Sequence, residues 1–300
     1  MIKTALAIFL IVGTCATTTK AKTHRMTLND LKAKVDSIFK TTEGTFALAF
    51  KDLKTGKSLL LNARMTFHAA STMKTPVMIE VFRQAQEKKF SLDDSLVVIN
   101  SFKSLVDGSE YALNLVDDSD DSLYSFVGKK QTIRSLIEAM ITKSSNLATN
   151  ILIDKVDAKN VMKTMRALGA KDIRVLRGVE DEKAFEAGMN NTTTAFDLMI
   201  IFEKLARKQI VSKKASEAMC DILLRQKLNE KIPRYLPADV KVAHKTGSIT
   251  GVEHDSGIVY LPDGRKYVLV ILSKKLEHED AGIEVIAQVS KAVYDYEVQR

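Results

Sequence analysis

A hydroxyl and an amine one helical turn apart, at the start of a predicted core helix, constrain this chain more than any other feature. Ser71 and Lys74 lie three positions apart in the segment 70–78. Apolar side chains then recur at helical spacing, at Met73, Val77 and Val81 and at Met78, Phe82 and Ala85. Because proline has no N–H and is tolerated only in the first helical turn, Pro76 puts the helix start close to Ser71. The sequence therefore predicts a buried helix with a serine at its N-terminus and a lysine on the same side.

This arrangement favours proton transfer from Ser71 to Lys74. At a helix N-terminus, unpaired N–H groups and the positive end of the dipole favour negative charge on an oxygen. A lysine that is partly desolvated and close to other cations has a lowered pKa and can accept a proton from a serine. The Ser-x-x-Lys pattern is short, however, and a second copy stands at 37–40 on a predicted amphipathic helix. The pattern at Ser71 therefore gains its weight from motifs further along the chain.

The first residues predict export. Residues 1–21 contain a lysine, then an apolar run at 5–12, then small residues, which is the order of a secretory signal. The apolar run is too short to remain as a membrane anchor. We expect cleavage after Ala16 or Ala21, or lipid attachment at Cys15, and a periplasmic or secreted protein.

Composition limits the remaining function classes. Removal of residues 1–21 takes two lysines and no acid, so the net charge falls from +8 to +6. Basic residues are interleaved with acids, so we expect no nucleic-acid partner, whereas a cleft for a small anionic substrate fits the modest excess. Cys15 and Cys220 are the only cysteines, so the fold does not depend on disulfides. The five histidines lack helical metal-ligand spacing, and we expect no metal or cofactor: they stand at 24, 68, 244, 254 and 278.

Strand patterns lie near both ends of the chain and helical patterns lie between them. The predicted strands are 45–50, 58–61, 240–245, 256–261 and 267–272. The predicted helices are 28–40, 133–140, 161–168, 195–206 and 282–296. Short turns between successive strands imply antiparallel pairing. We predict an α/β protein of the α+β kind with one catalytic domain over 22–300, in which 22–70 and 212–300 form a sheet with terminal helices and 71–211 is a mainly helical insertion. Within that insertion, the acidic stretch 107–122 predicts a solvated loop more than a metal site, because its carboxylates lack calcium-loop spacing.

Two further motifs follow the Ser71 helix in order. Ser144-x-Asn146 lies in the helical region, and Lys245-Thr246-Gly247 lies at the end of a predicted strand. A second Lys-Thr-Gly at 54–56 falls in a hairpin turn before the serine helix and carries no such meaning. The ordered set is far more specific than any one motif. With it, the chain after residue 21 resembles the penicilloyl-serine transferases, which include class A β-lactamases and penicillin-binding proteins, in motifs and in two-part fold.

The resemblance implies a role for each motif residue. Ser71 would be the nucleophile and Lys74 its proton partner, while Ser144 would relay a proton to the leaving nitrogen. Asn146 would bind the amide of the substrate. Lys245 and Thr246, in the motif that Gly247 completes, would bind its carboxylate. The N–H groups of Ser71 and Ser248 would form the oxyanion hole. Acyl transfer in general needs these same parts: a nucleophile, a base, a proton donor and an electropositive anchor.

Three departures from the family pattern affect the expected chemistry. Ser145 stands where the family usually has Asp, and the stretch from 71 to 144 is longer than usual; we expect structural consequences from both. The segment 190–194 matches the end of the loop that carries the deacylating Glu, but Ala184 stands where that Glu would have its Asn partner. We favour Glu180 as general base because it follows Arg177, with Glu182 or a surface role as alternatives.

A related difference concerns the substrate carboxylate. The Arg that often binds it beyond the last motif is absent, and Glu253, His254 and Asp255 occupy that region. His254 could substitute, although a lone histidine is more often structural.

Three functions remain open from the sequence. The first is a monomeric β-lactamase conferring antibiotic resistance, with an acyl-enzyme on Ser71. The second is a penicillin-binding, peptidase-like or esterase serine hydrolase, acting on peptidoglycan-like substrates, that acylates but deacylates lactams slowly. The third is a non-catalytic binding module, against which the intact motifs argue.

Overall fold

The structure is a computed structural model that describes residues 1–2 and 25–300. Residues 3–21 of the expected export signal, with Cys15, lie outside the described residues. The helices are α1 (Leu28–Phe39), α2 (Lys74–Gln86), α3 (Ile133–Thr142), α4 (Asn146–Val156), α5 (Ala158–Ala167), α6 (Glu182–Glu186), α7 (Ala195–Ala206), α8 (Lys213–Leu223) and α9 (Glu279–Val298). None of the helices in the described part is long and apolar enough to cross a membrane.

Strands from both ends of the chain form one sheet. The strands are β1 (Thr45–Asp52), β2 (Ser58–Leu61), β3 (Phe67–His68), β4 (Ser95–Val97), β5 (Phe102–Lys103), β6 (Glu110–Tyr111), β7 (Lys130–Thr132), β8 (Thr192–Thr193), β9 (Lys241–Ile249), β10 (Val252–Tyr260) and β11 (Lys266–Lys274). Five of them form an antiparallel sheet in the order β2-β1-β11-β10-β9. The other six form three small two-stranded pairs. This sheet and the helical insertion confirm the predicted fold class.

The sheet separates two hydrophobic cores because side chains of a strand alternate between its faces. Leu48, Phe50 and Leu269 face α1 and α9 on one side. Ala47 and Val270 face the helical part on the other side. On that second side α7 lies against β1, β10 and β11, and α8 packs on α3, α7 and β9. The helical part is therefore fixed to the sheet by α7 and α8, and β9 forms the sheet edge next to the serine turn.

Two departures from the predicted bounds affect the residues of the site. The backbone forms a 3₁₀ turn at Ala70–Met73, so Ser71 lies just before α2, which begins at Lys74. Strand β10 begins at Val252 and thus includes Glu253, His254 and Asp255, which are all buried. Charged residues are rare in a central strand, so the sequence did not predict this part of β10. Groups on other elements form hydrogen bonds with each of these three side chains and so permit their burial.

Most of the acidic stretch is exposed, as predicted, and among the described residues no three metal-ligating side chains are grouped to hold an ion. Asp120 is the one buried acid of the stretch, since it is 6 % exposed, and it pairs with Lys143. The stretch also contains short 3₁₀ turns at Leu115–Asp117 and Asp121–Phe126. It therefore packs locally instead of forming a loop without structure.

Candidate active site

The three motifs meet around the side chain of Ser144. The amine of Lys74 donates to the carbonyl oxygen of Ser144 at 2.6 Å and lies 3.1 Å from its Oγ. The amine of Lys245, on β9, lies 3.0 Å from the same Oγ. One hydroxyl is therefore in hydrogen-bond contact with two lysines from separate motifs, which are 70 and 101 positions away along the chain.

Strained backbone positions present these groups. Ser144 has φ +62° and Ala70, which precedes the nucleophile candidate, has φ +43°. Residues with side chains rarely adopt these left-handed conformations, and such strained positions cluster at active sites. A local hydrogen bond supports Ala70 in this conformation, since its N–H donates to His68 Nδ1 at 3.1 Å.

Strand β9 approaches the serine turn closely because residue 247 has no side chain. A Cβ on Gly247 would lie 3.1 Å from the backbone nitrogen of Ser71 and 3.2 Å from Ala70 Cβ. Ser71 and Ser248 line the same cleft, whose volume is about 350 Å³. Their N–H groups belong to two adjoining segments, which is the arrangement that an oxyanion hole requires.

Burial changes the protonation of both lysines. Lys74 is fully buried, and desolvation lowers its pKa to about 7, although the charges of Asp118 and Glu180 act in the opposite direction. Desolvation, then repulsion from Lys74 and Lys231, holds the pKa of Lys245 well below its usual value. A neutral amine can accept a proton, so Lys74 has the state that a general base needs near neutral pH.

Glu180 lines the same cleft as Ser71 and Ser248 and connects to Lys74 through Asn146. Asn146 donates to Glu180 Oε1 at 2.7 Å and accepts from Lys74 Nζ at 2.8 Å. Desolvation raises the pKa of Glu180, and its hydrogen bonds with Asn146 and the Asn114 backbone oppose that rise. The three side chains thus form one continuous polar network next to Ser71.

Two asparagines hold the loop that carries Glu180. Asn150 accepts from the N–H of Val179 at 2.7 Å and donates to its carbonyl at 3.0 Å. Asn191 donates to the carbonyl of Arg177 at 3.0 Å. Glu182 also lines the cleft but is exposed, on α6, and Ala184 is fully buried. The hydrogen-bond network therefore favours Glu180 over Glu182 as the base candidate.

Sequence reasoning missed Asp118, which supports Asn146. The carboxylate of Asp118 accepts from the N–H groups of Asn146 and Leu147, each at 2.9 Å, at the N-terminus of α4. Ser145 caps the same helix, since its Oγ accepts from Ala148 N–H at 3.3 Å. Together they bind the free N–H groups at this helix start. Asp118 stands in a run of acids, so no sequence signal separates it from its solvated neighbours.

Lys231 is a further buried lysine, next to Ser248, that no sequence motif predicted. Lys231 is 1 % exposed, and its amine lies 2.5 Å from Glu253 Oε2 and 2.9 Å from Ser248 Oγ. The position precedes β9 without any motif of its own, and so the sequence did not single it out.

His254 has a structural environment. Its Nε2 donates to the carbonyl of His68 at 2.8 Å, and its Nδ1 accepts from Ser273 N–H at 3.1 Å. Desolvation lowers its pKa to about 4, so the ring is neutral at neutral pH. His254 therefore does not supply the cation that the missing Arg would have supplied.

Comparisons with known proteins agree with this geometry. A model of the β-lactamase enzyme family matches residues 30–297. A β-lactamase of Bacteroides uniformis is 26% identical over 96% of this chain and 98% of its own length. The extended-spectrum β-lactamase PER-1 of Pseudomonas aeruginosa is 23% identical over 90% of this chain and 88% of its own.

Solved structures with the same fold include two kinds of protein. A β-lactamase of Sphaerobacter thermophilus superposes with a TM-score of 0.78 at 26% identity, covering 89% of this chain and 96% of that one. The structure of PBP-A superposes with a TM-score of 0.79 at 27% identity, covering 92% of this chain and 98% of that one. Because the family model spans both parts of the fold and all three motifs, this chain belongs to the β-lactamase enzyme family.

Proposed function

We propose that this protein is a serine β-lactamase that opens the cyclic amide through an acyl-enzyme on Ser71. The observation that carries the proposal is the hydrogen-bonded set of Lys74, Ser144 and Lys245 beneath a cleft lined by Ser71 and Glu180. It combines a nucleophile, a neutral amine, a proton-donating hydroxyl and an anchor for an anion.

Acylation follows from the positions of these groups. Neutral Lys74 takes the proton of Ser71 as its oxygen attacks the lactam carbonyl. The N–H groups of Ser71 and Ser248 stabilise the oxyanion, each by about 3 kcal/mol. Ser144 gives its proton to the lactam nitrogen as the carbon–nitrogen bond breaks, and Lys74, whose amine lies 3.1 Å from Ser144 Oγ, passes on to Ser144 the proton that it took from Ser71. Lys245 and Thr246, with the close approach that Gly247 permits, bind the substrate carboxylate.

Deacylation requires a base on the other side of the ester. Glu180 takes a proton from water, the resulting hydroxide attacks the acyl carbon, and the proton on Glu180 passes to the Ser71 oxygen as the ester bond breaks. The support is the location of Glu180 in the cleft and its contact with Asn146.

A second candidate function is acylation without rapid deacylation, as in a penicillin-binding protein. One oxygen of Glu180 is already bound by Asn146, and Glu180 has φ +60° on a loop that departs from the family pattern. A solved relative at 27% identity is a point mutant of PBP-A as an acyl-enzyme complex with penicillin G. Peptidoglycan-like or ester substrates fit this alternative.

Turnover of a chromogenic cephalosporin, together with mass spectrometry of protein incubated with penicillin, separates the two functions. We expect sustained turnover, with no adduct or turnover in Ser71→Ala. Trapped adduct without turnover in the native protein would support the second function. Neither signal would contradict both.

Replacement of Glu180 by Gln tests its role. We expect turnover to fall at least a hundredfold while the acyl adduct accumulates, since a general base contributes about 10²–10⁴-fold. The matched control is Glu182→Gln, on the same cleft wall, which should retain most of the turnover. Equal loss in both variants, or unchanged turnover in Glu180→Gln, would reject Glu180 as the base.

We also propose export of a monomer, with cleavage after Ala16 or Ala21 or lipid attachment at Cys15, and a role in resistance. The support for export is the order of charged, apolar and small residues in 1–21. Fractionation of cells that express the native chain and Cys15→Ser decides the anchoring: loss from the membrane fraction in the variant indicates lipidation.

A further inference from the structure

Behind the cleft wall at Ser248 lies a buried ion pair that the reaction above does not use. Lys231 and Glu253 are 1 % and 4 % exposed, and their charged atoms are 2.5 Å apart. Glu253 lies on β10 directly opposite Ser248 of β9. The pair is therefore adjacent to the strand that would bind the substrate carboxylate.

The ammonium of Lys231 and the hydroxyl of Ser248 both bind Glu253. The ammonium of Lys231 donates to Ser248 Oγ at 2.9 Å, and the hydroxyl of Ser248 donates to Glu253 Oε2 at 2.8 Å. A substrate carboxylate at Ser248 would have to displace Glu253 from that hydroxyl. It would also lie within a few ångströms of a second carboxylate.

Charge balance at this wall follows from these contacts. Two like charges in a partly desolvated site repel strongly, and an opposite charge at similar distance offsets the repulsion. Lys231 attracts an arriving carboxylate and Glu253 repels it by a comparable amount. An unpaired lysine at the same place would attract the carboxylate without that opposition.

We infer that Glu253 is a specificity-determining residue that neutralises Lys231 and so weakens the preference of the site for anionic over neutral acyl donors. The inference rests on the proposed function and extends it to substrate class. The site accepts a neutral ester of a lactam acid with an efficiency closer to that of the free acid than a site with an unpaired cation would.

The test compares a chromogenic cephalosporin with its own methyl ester, in which one added methyl group removes the charge of the carboxylate. The measured quantity is the ratio of the second-order acylation rate constants, acid over ester. Glu253→Gln leaves Lys231 unpaired, and we expect the ratio to rise about tenfold. Lys231→Gln leaves Glu253 unpaired and should lower it by a similar factor. The double variant Lys231→Gln/Glu253→Gln has the native net charge and should return the ratio to within about threefold of native.

Glu230→Gln is the matched control, since Glu230 is exposed and adjacent to Lys231. Like Glu253→Gln, this variant removes one negative charge, but at the surface, and it should change the acid-over-ester ratio less than twofold. An unchanged or lowered ratio in Glu253→Gln overturns the inference. If that variant does not fold, a tenfold drop in the double variant overturns it, because Lys231 would then attract the carboxylate despite Glu253. Acylation of the native protein by neither compound would instead contradict the proposed function.

Discussion

At the scale of single residues, the site depends on charges that the protein keeps out of water. Lys74, Lys231 and Lys245 are almost fully buried, and they approach one another closely enough to affect protonation. Their partners differ in kind: Lys231 has a carboxylate, whereas Lys74 and Lys245 bind neutral oxygen atoms. A buried lysine without a close counter-ion loses its proton more easily, so Lys74 is suited to accept one.

The lowered pKa of Lys74 predicts the pH dependence of acylation. Its pKa in the folded protein is about 7, below the usual 10.5, so the amine is mostly neutral above pH 7 and protonated below it. We expect the acylation rate constant to fall about tenfold per pH unit below pH 7. In Lys74→Arg the guanidinium stays protonated at all these pH values, so the acylation rate constant should fall at least a hundredfold. Stopped-flow acylation across pH values on both sides of this pKa measures both.

Lys143→Arg is the control for this replacement, because Lys143 is exposed and immediately precedes Ser144. It should leave the pH profile in place. A native profile that stays flat well below the pKa of about 7 would show that the protonation of Lys74 does not limit acylation.

At the scale of elements, glycines set two close approaches in the site. Gly247 lets β9 reach the serine turn, and Gly178 lets the Glu180 loop lie against α4. A Cβ on Gly178 would lie 2.2 Å from Asn150 Oδ1, the atom that accepts from Val179 N–H. The position of the loop on α4 thus depends on the absence of one side chain.

Gly178→Ala should therefore impair deacylation more than acylation. The added methyl group displaces Asn150 and with it the anchored backbone next to Glu180, while the serine turn and β9 are not touched. We expect at least tenfold accumulation of acyl-enzyme under steady-state turnover, measured by quenched-flow mass spectrometry, because small misplacements of catalytic groups cost rate steeply.

Gly169→Ala provides the comparison for Gly178→Ala. Its added Cβ meets open space, but its φ of +90° disfavours any side chain. It should lower stability by about 1 kcal/mol without changing the acylated fraction. A Gly178→Ala protein with native turnover would show that the loop does not need this contact.

At the scale of the whole molecule, the first helix α1 and the last helix α9 pack together beside the sheet. Arg300 donates to Asp52 at the end of β1, and Arg265 donates to the carbonyl of Glu297 on α9. Glu297 is 2 % exposed, and desolvation and the charge of Asp52 raise its pKa to about 7. The last helix thus carries a carboxyl that is easier to bury protonated than ionised.

This predicts a pH-dependent stability difference for Glu297→Gln. The pKa of Glu297 is higher in the folded than in the unfolded chain, so its contribution to stability is fully present below about pH 4.5 and is lost as pH rises to about 7. Glutamine does not titrate. We expect the free energy of unfolding of the variant, relative to native, to rise by about 3 kcal/mol between about pH 4.5 and about pH 7.5.

Urea unfolding at both pH values measures this difference. Glu277→Gln, an exposed carboxyl before α9, should show no such trend. A constant difference between native and Glu297→Gln across this range would contradict the raised pKa.

Residue spacing and motif order alone were enough to predict the two-part fold and the main motif residues. Alternating and helical apolar patterns are local properties of the chain, so the sheet strands, most helices and the helix after Ser71 followed from spacing. The three ordered motifs also pointed to one site, because each is short and specific only in combination. The first half of β10 was missed, since Glu253 and Asp255 resemble surface residues when their partners are unknown.

Only the tertiary structure shows which charged and polar side chains contact each other. Asp118 supports α4, Lys231 pairs with Glu253, and Asn150 anchors the Glu180 loop, and in each case the partners are distant in sequence. Electrostatic interactions depend on distance and burial in space, which spacing along a chain does not specify. The nucleophile candidate was therefore visible in the sequence, whereas the protonation of its neighbours and the balance of charge at Ser248 followed from the fold.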